Sequence, residues 1–173
     1  MQCKELLAGA LVVLTLSART HAQEPDRGFV MRKDVVAIYF GTFGTDSMSG
    51  MVPVVQSMNR SLARQAVATG RRFFSRGVSL EPSVSDGLRH LALFGGFDEE
   101  SLGGNWTNAE VIRYLGPKFD TTRTSGIPQV VLIQRELTQS RYRLEIISER
   151  EIGRFIGTKD IADWVRAGAN LPR

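Results

Sequence analysis

Six consecutive residues, Val35-Val36-Ala37-Ile38-Tyr39-Phe40, are apolar and rich in β-branched and aromatic side chains. Such a run suits a strand buried on both faces at the centre of a sheet. The stretch from Gly41 to Gly50 is small and turn-forming throughout, which is loop chemistry. Met51, Val55, Met58, Leu62 and Ala66 then recur at helical spacing, with Pro53 in the first turn and Gly70 as the stop. Arg72, Phe74, Arg76, Val78 and Leu80 share one parity before Glu81-Pro82, so residues 72–80 read as a second strand.

Further along, Ser83 with Asp86 opens a helix over residues 84–94, whose apolar stripe is Val84, Leu88, Leu91 and Ala92. Residues 95–106 form a glycine-rich loop. Thr107-Asn108-Ala109-Glu110 fits a capping box, and a short helix through Val111–Leu115 ends at Gly116-Pro117. Pro128 leads into an apolar strand, Val130 to Ile133. After a polar turn from Glu136 to Arg141, a strand around Tyr142 to Ser148 completes an antiparallel hairpin. Thr158 is placed to cap a last helix that turns Ile161, Trp164 and Val165 inward. The pattern is α/β, one domain, without internal repeats.

The N-terminus changes what the domain is for. Lys4, the apolar stretch Leu6 to Leu16, and small and polar residues ending in Thr20-His21-Ala22 have the form of a secretory signal peptide cleaved after Ala22. Its apolar core is far shorter than the ~20 residues that span a bilayer, and no later stretch is long enough. The expected organisation is a signal peptide over 1–22, a flexible lead-in over 23–33 and one domain over 34–173, exported to the periplasm or secreted by a bacterium, with no integral membrane span after cleavage. Removing Lys4, Arg19 and Glu5 lowers the formal charge from +4 to +3. Basic residues are spread along the chain, which argues against nucleic acid as a partner. Cys3 is the single cysteine of the sequence, so the exported domain has no thiol to pair or exchange.

Other chemistry-bearing residues have plain readings. His90 is the one histidine left after signal removal, and metal ligation needs further nitrogen or sulfur ligands that are not there; it reads as a surface or half-buried structural residue. Asp98-Glu99-Glu100 reads as solvated acids rather than a calcium site. Asn105-Trp106-Thr107 fits a glycosylation sequon, but in a bacterial chain Thr107 is better used as a cap. Met51 and Met58 fall on a core stripe, leaving Met48 as the surface methionine. No Ser-His-Asp set assembles from the sequence, no glycine-rich loop ends in Gly-Lys-Ser/Thr, and no cofactor or metal is expected.

Three segments carry a resemblance. Gly126-Ile127-Pro128 feeds directly into an apolar strand; Gly157-Thr158-Lys159-Asp160-Ile161-Ala162-Asp163-Trp164-Val165 closes the chain; Pro53 follows the loop after the first strand. Together with the order of elements, they resemble the thioredoxin-like superfamily over about Val35 to Leu171, including the Dsb-type thiol:disulfide oxidoreductases. The resemblance implies a central mixed sheet of about four strands flanked by helices, with a helical insertion before a cis-proline loop. Aligning Pro53 with that family's kink proline places the cysteine pair on Thr45 and Met48, and a shift of one residue uses Asp46 and Ser49. Neither register supplies a thiol, and a hydroxyl is too weakly acidic to replace one.

What the resemblance leaves is a shallow groove for a protein or an extended peptide, formed by Phe43, Thr45, Asp46, Ser47, Met48, Ile127 and Pro128. The functional expectation is a redox-inactive binding, chaperone or assembly factor of the cell envelope. The alternatives are a degenerate oxidoreductase with a thiol-independent activity and a structural subunit of an envelope secretion or conjugation machine.

Overall fold

The computed structural model describes residues 30–116, 126–139 and 143–172, and the signal peptide expected over 1–22 lies outside them. Strand β1 (Val30–Gly41) is followed by the short helix α1 (Phe43–Ser49) and the long helix α2 (Met51–Ala68). Then come β2 (Arg72–Ser79), α3 (Val84–Ala92), β3 (Glu99–Ser101), a 3-10 turn over Asn105–Thr107 and α4 (Ala109–Tyr114). Strands β4 (Gln129–Gln139) and β5 (Leu144–Ile156) and helix α5 (Gly157–Arg166) complete the chain. The architecture is α/β, a mixed five-stranded sheet in the order β3-β2-β1-β4-β5 with helices packed against it.

The Val35–Phe40 run occupies the middle of that sheet. It pairs in parallel with β2, Val35 opposite Phe73, and antiparallel with β4, Val35 opposite Gln134. Alternation along β1 then sends its side chains into two cores. Val36, Ile38 and Phe40 join Val78, Val131, Ile133, the α4 residues Val111 and Tyr114, and Leu115 just after α4. Ala37 and Tyr39 join Val130, Leu132, the α2 stripe Met51, Val55, Met58 and Leu62, and Ile161 of α5. The methionines at 51 and 58 are fully buried, as their spacing requires.

Several sequence expectations are corrected. The sheet has five strands rather than about four, because the glycine-rich stretch contains β3, which adds in parallel to the β2 edge with Arg76 opposite Glu99. That edge is tied by Arg76 to both Glu99 and Glu110 and by Asp98 Oδ2, which accepts from the Ser75 N–H at 2.7 Å and its hydroxyl at 2.8 Å. Asp98 and Glu99 are therefore structural rather than merely solvated. Residues Val30 to Lys33, assigned to the lead-in, are strand, paired with Gln139 to Glu136. The glycine-rich loop after β1 holds α1, capped by the Thr42 side chain.

Capping also differs. Asn108, not Thr107, caps α4 by accepting from the Glu110 N–H at 2.9 Å, while the Thr107 hydroxyl turns back to Gly104 O. Helix α5 has no side-chain cap; it starts at Gly157, whose N–H donates to Pro128 O at 2.8 Å. Strand β5 runs well past Ser148 and carries two register shifts against β4, after Glu151 and after Ile146. It forms the outer edge beyond β4. No helix among the described residues is long and apolar enough to cross a membrane.

On the α4 side of the sheet, Glu149 accepts from Arg135 Nε at 2.7 Å, the Tyr114 hydroxyl at 2.9 Å and Arg113 at 3.0 Å. Burial pushes the Glu149 carboxyl up, but the bonds from Arg135 and Tyr114 and the two guanidinium charges outweigh it, and the net shift is downward. A carboxyl depressed by folding contributes stability that is complete above its unfolded value and drains as pH falls through its folded one. Glu149→Gln should thus be less stable than the parent at neutral pH, with the gap narrowing below about pH 4 in urea unfolding series. On the opposite side, a Cβ at Gly77 would sit 2.5 Å from Phe97 Cδ2. Gly77→Ala is expected to cost ~1–3 kcal/mol by overpacking, read from the denaturation midpoint.

Candidate functional site

The carboxyl ends of the parallel strands β1 and β2 and the start of β4 meet at one end of the sheet. Phe40 pairs with both Val78 and Gln129, and the Leu80 N–H donates to Gly41 O at 2.9 Å. Pro128 therefore lies beside the point where β1 passes into α1. In open α/β sheets this is the region where ligands bind, since loops there diverge and leave a crevice.

The residues expected to form a groove are placed differently at this end. Phe43 is 43% exposed at the start of α1, and its N–H donates to Glu81 Oε1 at 2.8 Å. Thr45 is half-buried and its N–H bonds the Thr42 hydroxyl. Ile127, joined to Pro128 by a cis peptide bond, is half-buried against the core that contains Phe40, Leu80 and Leu115, while Pro128 is buried. Ser47 and Met48 lie in the second half of α1, and their side chains are outside the described set. Asp46 departs from the expectation: it is 1% exposed and points into the protein. No surface groove contains its carboxylate.

That carboxylate belongs to a polar cluster. Asp46 Oδ2 is 2.6 Å from His90 Nε2, and His90 Nδ1 is 2.9 Å from Ser79 Oγ. All three side chains are buried, His90 and Ser79 completely. With the carboxylate ionised, Nε2–H donates to it, and in the neutral ring Nδ1 accepts from the Ser79 hydroxyl. Ser79 Oγ also accepts the Glu81 N–H at 3.3 Å. The Tyr39 phenol reaches the same place, and a Cβ on Gly41 would overlap Asp46 Oδ2 and come within 3.0 Å of the Tyr39 oxygen. Burial raises the Tyr39 pKa and the Asp46 charge raises it further, so the phenol stays protonated, and its hydroxyl has no hydrogen-bond partner among the described residues.

His90 is thus neither a surface nor a half-buried residue. Of the apolar stripe read from the sequence only Leu91 is buried: Val84 and Leu88 are 56% and 49% exposed and Ala92 is exposed, while α3 buries Gly87, His90 and Leu91. A second stripe, Gly87-Leu91-Phe94, has the same helical period and carries His90 on its flank. Gly87 made it look weak, yet a Cβ there would press against Leu102 at 3.1 Å, so the glycine marks the close-packed side.

Chemically the cluster has the residue types of a Ser-His-Asp relay, but no substrate reaches it. Ser79 is fully buried and its oxygen already serves the Glu81 N–H. The arrangement ties α1, α3 and β2 together through buried polar groups, which are costly when left unpaired. Among the described residues no group of three or more His, Cys, Asp or Glu is placed to hold a metal ion. No known protein family matches the sequence, and no curated protein or solved structure matches the chain.

Two substitutions separate the parts of this cluster. His90→Ala leaves the Asp46 carboxylate buried without its imidazole and should cost about 3–5 kcal/mol of unfolding free energy. Gly41→Ala removes no bond but forces Asp46 out of its position, so calorimetry should show destabilisation in which His90→Ala and Gly41→Ala are strongly non-additive. Additive losses would mean that the two act independently.

Proposed function

We propose that the chain is an exported, redox-inactive protein of thioredoxin-like fold that binds protein partners in the cell envelope as a binding, chaperone or assembly factor. Support for the fold comes from the element order and the mixed sheet, with the Ile127-Pro128 loop set beside the β1–α1 junction. The chemistry is limited by composition, since Cys3 is the sole cysteine of the sequence and lies in the expected signal peptide. A thiol exchange therefore has no thiol to begin it.

One observation carries the binding reading: two apolar side chains, Phe43 and Ile127, are partly exposed at the same end of the sheet. An extended peptide laid across that end would cover both, adding main-chain hydrogen bonds of the kind that strand-addition complexes use. Titration with a permanently unfolded polypeptide should move the amide signals of Phe43, Thr45 and Ile127 in heteronuclear spectra. Ile127→Asp should weaken the interaction about tenfold or more, which corresponds to ~1.4 kcal/mol. Shifts confined to other surfaces would remove this reading. An insulin-reduction assay should stay at background.

A second reading has its own support. The outward apolar pair Val84 and Leu88 on α3 suits a subunit packed against neighbours in an envelope machine, where such a stripe would be covered. Leu88→Glu would then abolish co-assembly while leaving peptide binding at Ile127 intact.

A further inference from the structure

Helices dock by burying an apolar stripe. In α1 the only buried side chain among those described is Asp46; Phe43 and Gly44 are exposed and Thr45 is half-buried. The described part of this helix is anchored by a carboxylate. The described group that receives it comes from elsewhere: His90 from α3, backed at Nδ1 by Ser79 of β2, with the Tyr39 phenol of β1 beside them. They are held in shape without the help of α1. The Tyr39 ring packs on Phe94 at 5.1 Å and stacks on Phe97 at 6.4 Å, and the His90 ring meets Phe94 edge-on at 5.6 Å. The Tyr39 hydroxyl, buried beside them, has no hydrogen-bond partner among the described residues.

From this we infer that β1, β2 and α3 form a carboxylate-binding site, which Asp46 fills as a built-in ligand and α1 closes as a plug. The imidazole N–H meets Oδ2 of Asp46, and the buried phenol O–H beside it, without a partner among the described residues, offers a second donor to a carboxylate seated there. Among the described residues the site has no guanidinium or ammonium of the kind a phosphate dianion attracts: Arg89, the neighbour on α3, is turned outward to Asp86. The absent Cβ of Gly41 provides the space that the carboxylate occupies. Gly50, with φ 67° and open space around it, joins α1 to α2 and supplies a pivot. An aspartate, glutamate or C-terminal carboxylate of the partner displaces Asp46, and the turn carrying Phe43 moves with it. This inference rests on the reading of this end of the sheet as the partner-binding surface.

The test uses the full chain carrying Asp46→Ala, melted in sodium acetate and in sodium chloride at equal ionic strength. Acetate should raise the Tm in a saturable way, with no such rise in the parent or in Asp46→Ala/His90→Phe. Equal melting temperatures in the two salts overturn the inference. If Asp46→Ala is unfolded in chloride, refolding on acetate addition is the same positive result, and failure to refold passes the decision to the parent chain. There, hydrogen exchange of the α1 amides is followed with N-acetyl-dialanine, N-acetylaspartic acid amide, or the neutral N-acetyl-dialanine amide. Faster α1 exchange with the first or the second alone identifies a C-terminal or a side-chain carboxylate as the ligand; no change with either overturns the plug. A blank here with peptide shifts intact at Ile127 rejects the plug and leaves the binding surface, whereas loss of the Ile127 shifts rejects the surface itself.

Discussion

Every other element is placed by the two-sided burial of β1. A strand whose alternate side chains enter different cores cannot slip by one residue without exchanging them, so its register with β2 and β4 is fixed at once. Tyr39 enters one core with α2 and α5, and Ile38 enters the other with α4. The carboxyl end of the same strand sets where α1 begins and where the Ile127-Pro128 loop lies. The candidate site is thus a direct consequence of how the central strand is held.

A burden comes with that placement. Where β1 ends, the interior holds a phenol, an imidazole, a hydroxyl and a carboxylate, none of which reaches water. Buried polar groups contribute little when satisfied and cost much when they are not. Their value lies in uniqueness: alternative packings of α1 against α3 would separate Asp46 from His90. The Glu149 network on the opposite side of the sheet has the same logic but a different setting. It is half-open to solvent and joins α4 to β4 and β5 through charged groups.

Local chemistry made much of the fold readable. The β1 run, the α2 stripe and the strand after Pro128 are each governed by periodicity, and α2 buries the five residues that its spacing selects. Reading failed where tertiary context decides. Strand β3 is three residues of glutamate and serine, held by Arg76 rather than by any strand propensity of its own. Helix α3 offers two overlapping stripes that share Leu91, and Val84, Leu88 and Ala92 of the first face outward because the second carries His90 toward Asp46. Residues 44 apart in sequence make that bond, and nothing in either local pattern announces it. Of the residues expected to form a groove, Phe43, Thr45, Ile127 and Pro128 lie at one end of the sheet, while Asp46, read as part of an open loop, sits on a helix and is buried, because its partner His90 comes from a distant segment.

The two register shifts in β5 bear on how this protein behaves in a crowded compartment. A long outer strand with exposed Leu144, Ile146 and Ile147 offers a template for neighbouring chains. The shifts break its ladder so that no run exceeds four paired residues, and the intervening Glu149, Arg150 and Glu151 put charge along the middle. An incoming strand would find regular main-chain groups only in short pieces out of phase with one another. The sheet can thus remain open at this edge without growing, which keeps association confined to surfaces shaped for it.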